Sequence, residues 1–153
     1  MRKWITAQIA AVAVAVVAML AISTSAHASL NQALTPLKSV ATGYCLDGNR
    51  TGAIYGLSCN GGPYQQWWHF VPTNSWDRLT DNATGRCLDS DGTGHAYTLF
   101  CNGGPYQQWI LTYKYTGYEV RSVATGWCLD GDSGGSVYTQ PCNNGNYQRW
   151  NIA

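Results

Sequence analysis

Apolar residues are distributed along this chain in two different ways. From Ile9 to Ile22 they run unbroken for 14 residues, and no comparable run follows. Beyond it they come in short bursts, each cut off by glycine, asparagine or aspartate. Leu37–Val40, Tyr44–Leu46, Ala53–Cys59 and Trp67–Val71 read as four short strands, and equivalents recur around Cys87 and Cys128. No stretch after residue 28 keeps a helical period. The pattern predicts an all-β chain rich in turns.

The bursts repeat. Residues 41–67 read ATGYCLDGNRTGAIYGLSCNGGPYQQW, and residues 83–109 agree with them at 19 of 27 positions without a gap. Residues 124–150 agree with the second copy at 16 of 27. The period, counted from Cys45 to Cys87 to Cys128, is 42 and then 41 residues. Three units of this length suggest a propeller or a solenoid, but propellers start at about four blades. A closed threefold barrel of about twelve short strands fits the count better. The units span about residues 37–77, 78–118 and 119–153, preceded by a short leader at 29–36.

Each copy carries one cysteine pair 14 positions apart: Cys45 and Cys59, Cys87 and Cys101, Cys128 and Cys142. Six cysteines allow fifteen pairings, and the equivalence of the copies favours these three local ones. Each bridge should contribute ~3 kcal/mol for a loop of this size. Zinc would ask for closely spaced ligands such as C-x-x-C, which are absent, so no metal is expected. Each copy also ends in Gln-x-Trp, at Trp67, Trp109 and Trp150. These tryptophans are expected in the core, with Gln65, Gln107 and Gln148 bonding nearby backbone.

Composition and charge narrow the function. Arg2 and Lys3, the apolar run and the small-x-small triplet Ala26-His27-Ala28 read as a signal peptide at 1–28. The run is too short to span a bilayer, which takes about 20 residues. The expectation is a secreted, extracellular protein with oxidised cysteines and no membrane attachment after cleavage. What remains has seven basic and eight acidic side chains, with no basic cluster, which argues against nucleic acid as a partner. Glu119 is the only glutamate, so chemistry built on paired glutamates is excluded.

Three Gln-x-Trp motifs, each with Cys-Leu-Asp near the start of its copy, resemble the ricin-B-type β-trefoil lectins and carbohydrate-binding module family 13. The resemblance covers about residues 37–153. Within it, the stretch Val137-Tyr138-Thr139-Gln140-Pro141-Cys142-Asn143-Asn144-Gly145-Asn146-Tyr147-Gln148-Arg149-Trp150 is similar to the repeat of the actinohivin-like lectins of high-mannose glycans. The six cysteines and the leader depart from that group. The implied fold is a single pseudo-threefold β-trefoil. The implied partners are glycans or glycoproteins bound by a monomer that needs no cofactor.

Four polar or aromatic positions recur at equal offsets: Asp47, Tyr55, Asn60 and Tyr64; Asp89, Tyr97, Asn102 and Tyr106; Asp130, Tyr138, Asn143 and Tyr147. A carboxylate accepts from two neighbouring hydroxyls of a pyranose, and an amide both donates and accepts. A tyrosine ring offers an apolar platform to the C–H face of a sugar. The blander reading makes Asp47 and Asn60 turn caps. The resemblance assigns all twelve positions to mannose contacts and adds an apolar wall at Leu57 and Leu99, where the third copy has Gln140. Galactose-binding members carry asparagine before the motif glutamine. Tyr64, Tyr106 and Tyr147 stand there instead, which favours mannose.

An enzyme is the rival class. Glycoside hydrolysis takes two carboxyl groups about one bond, but Asn49 replaces the second acid that Asp91 and Asp132 provide in the other copies. His69 and His95 have no counterparts and read as packing or surface residues. A calcium loop at Asp130-Gly131-Asp132 lacks the further acidic ligands. Asn49-Arg50-Thr51 and Asn82-Ala83-Thr84 match glycosylation sequons, relevant only in a host with that machinery. Two other readings remain: a general polysaccharide-binding module of galactose or xylan type, and a trefoil that docks onto or inhibits a protein.

Overall fold

The structure, a computed structural model, describes residues 32–70 and 76–152. The segment read as a signal peptide, with Val71 of the fourth expected strand, lies outside the described residues. Within them the chain forms β1 (Gln32–Thr35), β2 (Leu37–Ser39), β3 (Cys45–Gly48), β4 (Ile54–Leu57) and β5 (Trp67–Phe70). The second copy supplies β6 (Thr80–Asp81), β7 (Cys87–Ser90), β8 (Ala96–Leu99) and β9 (Trp109–Lys114). The third supplies β10 (Gly117–Ser122), β11 (Cys128–Gly131), β12 (Val137–Gln140) and β13 (Trp150–Ile152). Strands fall where the apolar bursts predict them: β2 and β4 are trimmed at their ends, whereas β3 starts one residue later than expected and runs on through Asp47 to Gly48.

All pairing is antiparallel and each copy plays the same part. β3–β4, β7–β8 and β11–β12 are hairpins. Between copies β5 pairs β6 and β9 pairs β10, and β13 returns to β2 through Trp150–Ser39. The last strand closing on the first makes the threefold barrel of a β-trefoil. Gln32–Thr35 lies in the stretch expected to be a leader, yet β1 pairs β5 along four residues. Thr35 pairs Trp67 where Asp77 bridges Trp109 and Tyr118 pairs Trp150, but the residues of β1 match none of those at the equivalent positions, so the repeat pattern could not reveal it.

The core is a threefold assembly of equivalent residues: Leu37, Leu79 and Val120; Leu46, Leu88 and Leu129; Ile54, Ala96 and Val137; and the three motif tryptophans. Trp67 and Trp109 are fully buried and Trp150 is 1% exposed, as their motif predicts. Fully burying a side chain such as leucine contributes about 1.5–3 kcal/mol, so the twelve positions carry most of the hydrophobic drive. All six cysteines are bridged in the three local pairs expected from the repeat. Cys128 and Cys142 lie near Glu119, but that carboxylate is paired with buried Arg149 at 3.2 Å. The grouping is therefore a disulfide beside an ion pair.

A ring of backbone bonds joins the hairpins. Gly52 accepts from the Thr98 amide, Gly94 from Thr139 and Gly135 from Gly56, at 2.7–2.8 Å. Each glycine has a left-handed φ, between 87° and 103°. A Cβ there would stand 2.7–2.9 Å from the carbonyl of the neighbouring copy. Only glycine tolerates that backbone and that approach, which accounts for its place in all three copies.

One core position breaks the symmetry at a cost. At this position Ser39 caps its turn through the Thr42 amide and Ser122 accepts from Ser90; the second copy has Asp81, fully buried. Its Oδ1 accepts from the Ala83 and Thr84 amides at 2.7 and 3.0 Å. Its Oδ2 is buried without a partner, against the backbone of Gly48. Desolvation, aided by the charge of Asp47, raises the Asp81 pKa and is only partly offset by those amides. A folded pKa above the unfolded value near 3.9 means stability that is full at low pH and lost as pH rises through the folded pKa. Asp81→Ser should therefore stabilise the protein at pH 7 by ~1–3 kcal/mol. Urea denaturation of the two proteins at several pH values should show that gain shrinking as pH falls through the folded pKa, with little of it left below about pH 4.

Candidate functional site

The repeated polar residues come together at the hairpins, and strand register explains the first of their offsets. Asp47 pairs directly across its hairpin with Tyr55, Asp89 with Tyr97 and Asp130 with Tyr138. Leu57, Leu99 and Gln140 stand opposite the first cysteine of each copy. The remaining offsets follow from a single 3₁₀ turn at Pro63–Gln65, Pro105–Gln107 and Asn146–Gln148. That turn carries Tyr64, Tyr106 and Tyr147 back over the hairpin.

The motif glutamine positions the aspartate, which sequence reasoning missed. Gln65 accepts from the Asn60 amide and donates to the Ser58 carbonyl, bonding backbone as expected. The same side-chain nitrogen donates to Asp47 Oδ2 at 2.8 Å. Gln107 repeats the set with Asn102, Phe100 and Asp89, again at 2.8 Å to the carboxylate. Trp67 donates its indole N–H to the Leu46 carbonyl, Trp109 to Leu88 and Trp150 to Leu129. Each tryptophan thus anchors the residue just before the aspartate. The carboxylates sit on strands rather than capping turns.

The asparagines do cap turns. Asn60, Asn102 and Asn143 accept through Oδ1 from Gly62, Gly104 and Gly145 at 2.7–2.8 Å. That bond fixes the amide plane while the side chain stays at the surface, so the turn-cap and ligand readings hold together.

In the second copy these residues line an open cleft of about 410 Å³. Asp89, Tyr97, Leu99, Asn102 and Tyr106 all border it, with Asp91, Ser90 and Gly92 that sequence reasoning left out of the site. Tyr97 is pushed above the ordinary phenol range, first by desolvation and then by the charges of Asp89 and Asp91. Its hydroxyl stays protonated and can donate. Desolvation acts to raise Asp91, but hydrogen bonds from His95 and Thr93 outweigh it and hold the carboxyl well below its usual range. His95 itself is exposed, with Nδ1 2.7 Å from Asp91, whereas His69 is a buried packing residue.

The third cleft is smaller, about 230 Å³, and is bordered by Asp130, Asp132, Tyr138, Gln140, Asn143 and Tyr147. Tyr138 is raised like Tyr97, by desolvation and then by Asp130 and Asp132. Asp132 is lowered, chiefly by the Ser136 amide. The departure is Gln140, whose side-chain amide donates to Asp130 Oδ2. Where the other copies have an apolar wall, this one has a polar group that ties up the carboxylate. In the first copy Asp47, Tyr55, Leu57, Asn60 and Tyr64 take the same places on strand and turn. There, too, a neighbour intrudes: Arg50 donates from Nε to the Tyr64 hydroxyl at 3.0 Å. A buried carboxylate with lone pairs to spare, a fixed amide and phenol donors around a shallow wall can hold a polyhydroxylated ligand.

Residues 33–150 match the model of the ricin-type β-trefoil lectin domain. A comparison with curated protein sequences finds no match. Among solved structures, the designed threefold-symmetric protein ThreeFoil superposes with a TM-score of 0.70 at 23% identity, over 78% of this chain and 96% of that one. The exo-β-1,3-galactanase 1,3Gal43A from Clostridium thermocellum gives a TM-score of 0.69 at 24% identity. That match covers 78% of this chain but only 29% of the galactanase. At these identities both likenesses bear on the fold.

Removing one glutamine tests the positioning role. Gln107→Ala should strand the Asn102 amide, the Phe100 carbonyl and one oxygen of Asp89 together. The expected loss is ~2–4 kcal/mol by urea denaturation. Gln108→Ala, which removes only a surface bond to Gly103, should cost less than about 1 kcal/mol.

Proposed function

The chain belongs to the ricin-type β-trefoil lectin family, and on that premise we propose that it is a secreted, monomeric lectin with three related sites for terminal mannose of high-mannose glycans. In this reading binding is its whole biochemistry and no reaction is catalysed. The observation that carries it is the repeated frame of aspartate, asparagine and two tyrosines about the glutamine-held carboxylate. Tyrosine rather than asparagine before each motif glutamine favours mannose over galactose and relates the chain to the actinohivin-like group. Three disulfides fit an oxidising, extracellular setting, and among the described residues no helix is long and apolar enough to cross a membrane.

Within each site the geometry supports the following roles. Asp47 and Asp89 accept from adjacent sugar hydroxyls, oriented by Gln65 and Gln107. Asn60 and Asn102 add a fixed amide, and the phenols of Tyr55 and Tyr97 donate. Tyr64 and Tyr106 offer a face beside the walls Leu57 and Leu99. In the third site Asp130, Tyr138, Asn143 and Tyr147 act likewise only after a ligand displaces the amide of Gln140. The likeness to part of a galactanase supports a second reading, a polysaccharide-binding module for galactose-type chains.

One competition experiment separates these readings. Methyl mannoside should release the protein from a high-mannose glycoprotein surface and lactose should not; the reverse result overturns the mannose assignment. A protein-docking trefoil would respond to neither sugar.

A single shallow site should bind at about millimolar, or ~4 kcal/mol, and linkage on one scaffold can add ~10²–10⁴ in apparent affinity. Asp89→Ala should therefore cost far more against a multibranched glycan surface than against a mannose disaccharide. Asp130→Ala should cost least of the three aspartate variants, since Gln140 replaces the leucine wall and must be desolvated when a sugar packs on it. Calorimetry with the disaccharide, beside surface binding, reads both effects. If Asp130→Ala is the most damaging, the ranking of sites is wrong.

A further inference from the structure

The three sites differ in charge. Where the second and third copies have Asp91 and Asp132, the first has Asn49, and where they have Gly92 and Ser133 it has Arg50. Asn49 does the structural work of those acids: its Oδ1 accepts from the Thr51 and Ala53 amides. Asp91 accepts from Thr93 and His95, and Asp132 from Gly134 and Ser136, in the same way. The loop keeps its shape and loses its negative charge.

Arg50 then adds a positive one at the mouth of the site. Its Nε donation to the Tyr64 hydroxyl orients the planar guanidinium. Among the described residues no carboxylate pairs with it, so both Nη groups are available to a ligand. The equivalent position in the second copy also faces its tyrosine: a Cβ on Gly92 would stand 3.9 Å from the Tyr106 hydroxyl. A second guanidinium reaches the same loop. Arg86 places Nη1 2.9 Å from where a Cβ on Gly52 would be. At the equivalent place beside Gly94 the third copy offers the ring of Trp127, and Tyr44 occupies that position in the first copy.

We propose that the first site selects sugars bearing an acidic group, carboxylate or phosphate, whose oxyanion pairs with the open edge of Arg50. The acids Asp91 and Asp132 make the second and third sites reject the same ligands. This rests on the reading of the repeated clefts as sugar sites, but not on the mannose assignment. Guanidinium meets both oxyanions through two parallel N–H donors, so either substituent satisfies the chemistry.

The test is a titration of the ¹⁵N-labelled full protein, read at the Gly62 amide for the first site and at Gly104 for the second. Methyl mannoside is compared with mannose 6-phosphate and mannuronate, and galactose with galacturonate. At Gly62 an acidic sugar should reach its midpoint at about fivefold lower concentration than its neutral partner. At Gly104 the order should reverse. Arg50→Gly, which installs the second copy's residue, should abolish the preference at Gly62, and Asp91→Asn combined with Gly92→Arg should create one at Gly104. The preference should also weaken with added salt. Equal midpoints at Gly62 for acidic and neutral sugars, or a preference that survives Arg50→Gly, overturn the proposal. Inorganic phosphate alone binding as tightly as mannose 6-phosphate also overturns it, because the sugar would then be irrelevant. If only the galactose pair shifts these amides and shows the charge preference, the mannose assignment fails and this proposal stands.

Discussion

The structure depends on one reciprocal clamp, made three times by the Gln-x-Trp motif. The buried tryptophan hangs its indole N–H on the carbonyl just before each aspartate. Two residues earlier the glutamine satisfies buried backbone on one side and, in the first two copies, the aspartate carboxylate on the other. Burying an indole and an amide is tolerable only when both are bonded. The core and the cleft therefore share one set of bonds. A change that loosens the tryptophan also moves the carboxylate that a ligand would meet.

The threefold frame is maintained by contacts that no single copy can make. The glycine carbonyls of one copy hold the amides of Thr98, Thr139 and Gly56 in the next. All three are flanked by site residues: Gly56 by Tyr55 and Leu57, Thr98 by Tyr97 and Leu99, and Thr139 by Tyr138 and Gln140. The disulfides act locally, inside one copy, and leave this ring to the backbone and the core. Symmetry of that kind allows the surface of each cleft to diverge while the scaffold stays constant. Asp81 shows the opposite case, a divergence within the core that the frame tolerates by burying an unsatisfied oxygen.

Divergence is concentrated around the three sets of repeated polar residues. Gln140 closes the third onto its own carboxylate, Asp91 and His95 load the rim of the second with charge, and Arg50 lies across the first. A shared chemistry of aspartate, asparagine and tyrosine is thereby offered in three electrostatic settings.

Repetition made much of this legible in the residues alone. The period gave the threefold barrel, the equivalence of copies gave the cysteine pairing, and the constant offsets picked out the residues that meet in each cleft. Equal spacing carries such information because equivalent sequences must fold into equivalent hairpins, so an offset of eight becomes a cross-strand pair. What had no counterpart in another copy was invisible to that logic. The sequence of β1 is one such case: its residues are unlike those at the equivalent positions, and only the tertiary structure supplies the β5 edge on which it pairs. The bond from Gln65 to Asp47 recurs between Gln107 and Asp89, yet no spacing announces it, and the bond from Arg50 to Tyr64 has no counterpart. They join residues 18 and 14 positions apart, and such partners are chosen by where the hairpin and the 3₁₀ turn bring side chains together. The residue types settle which bonds are possible; closure of the chain around its buried tryptophans decides which of them form.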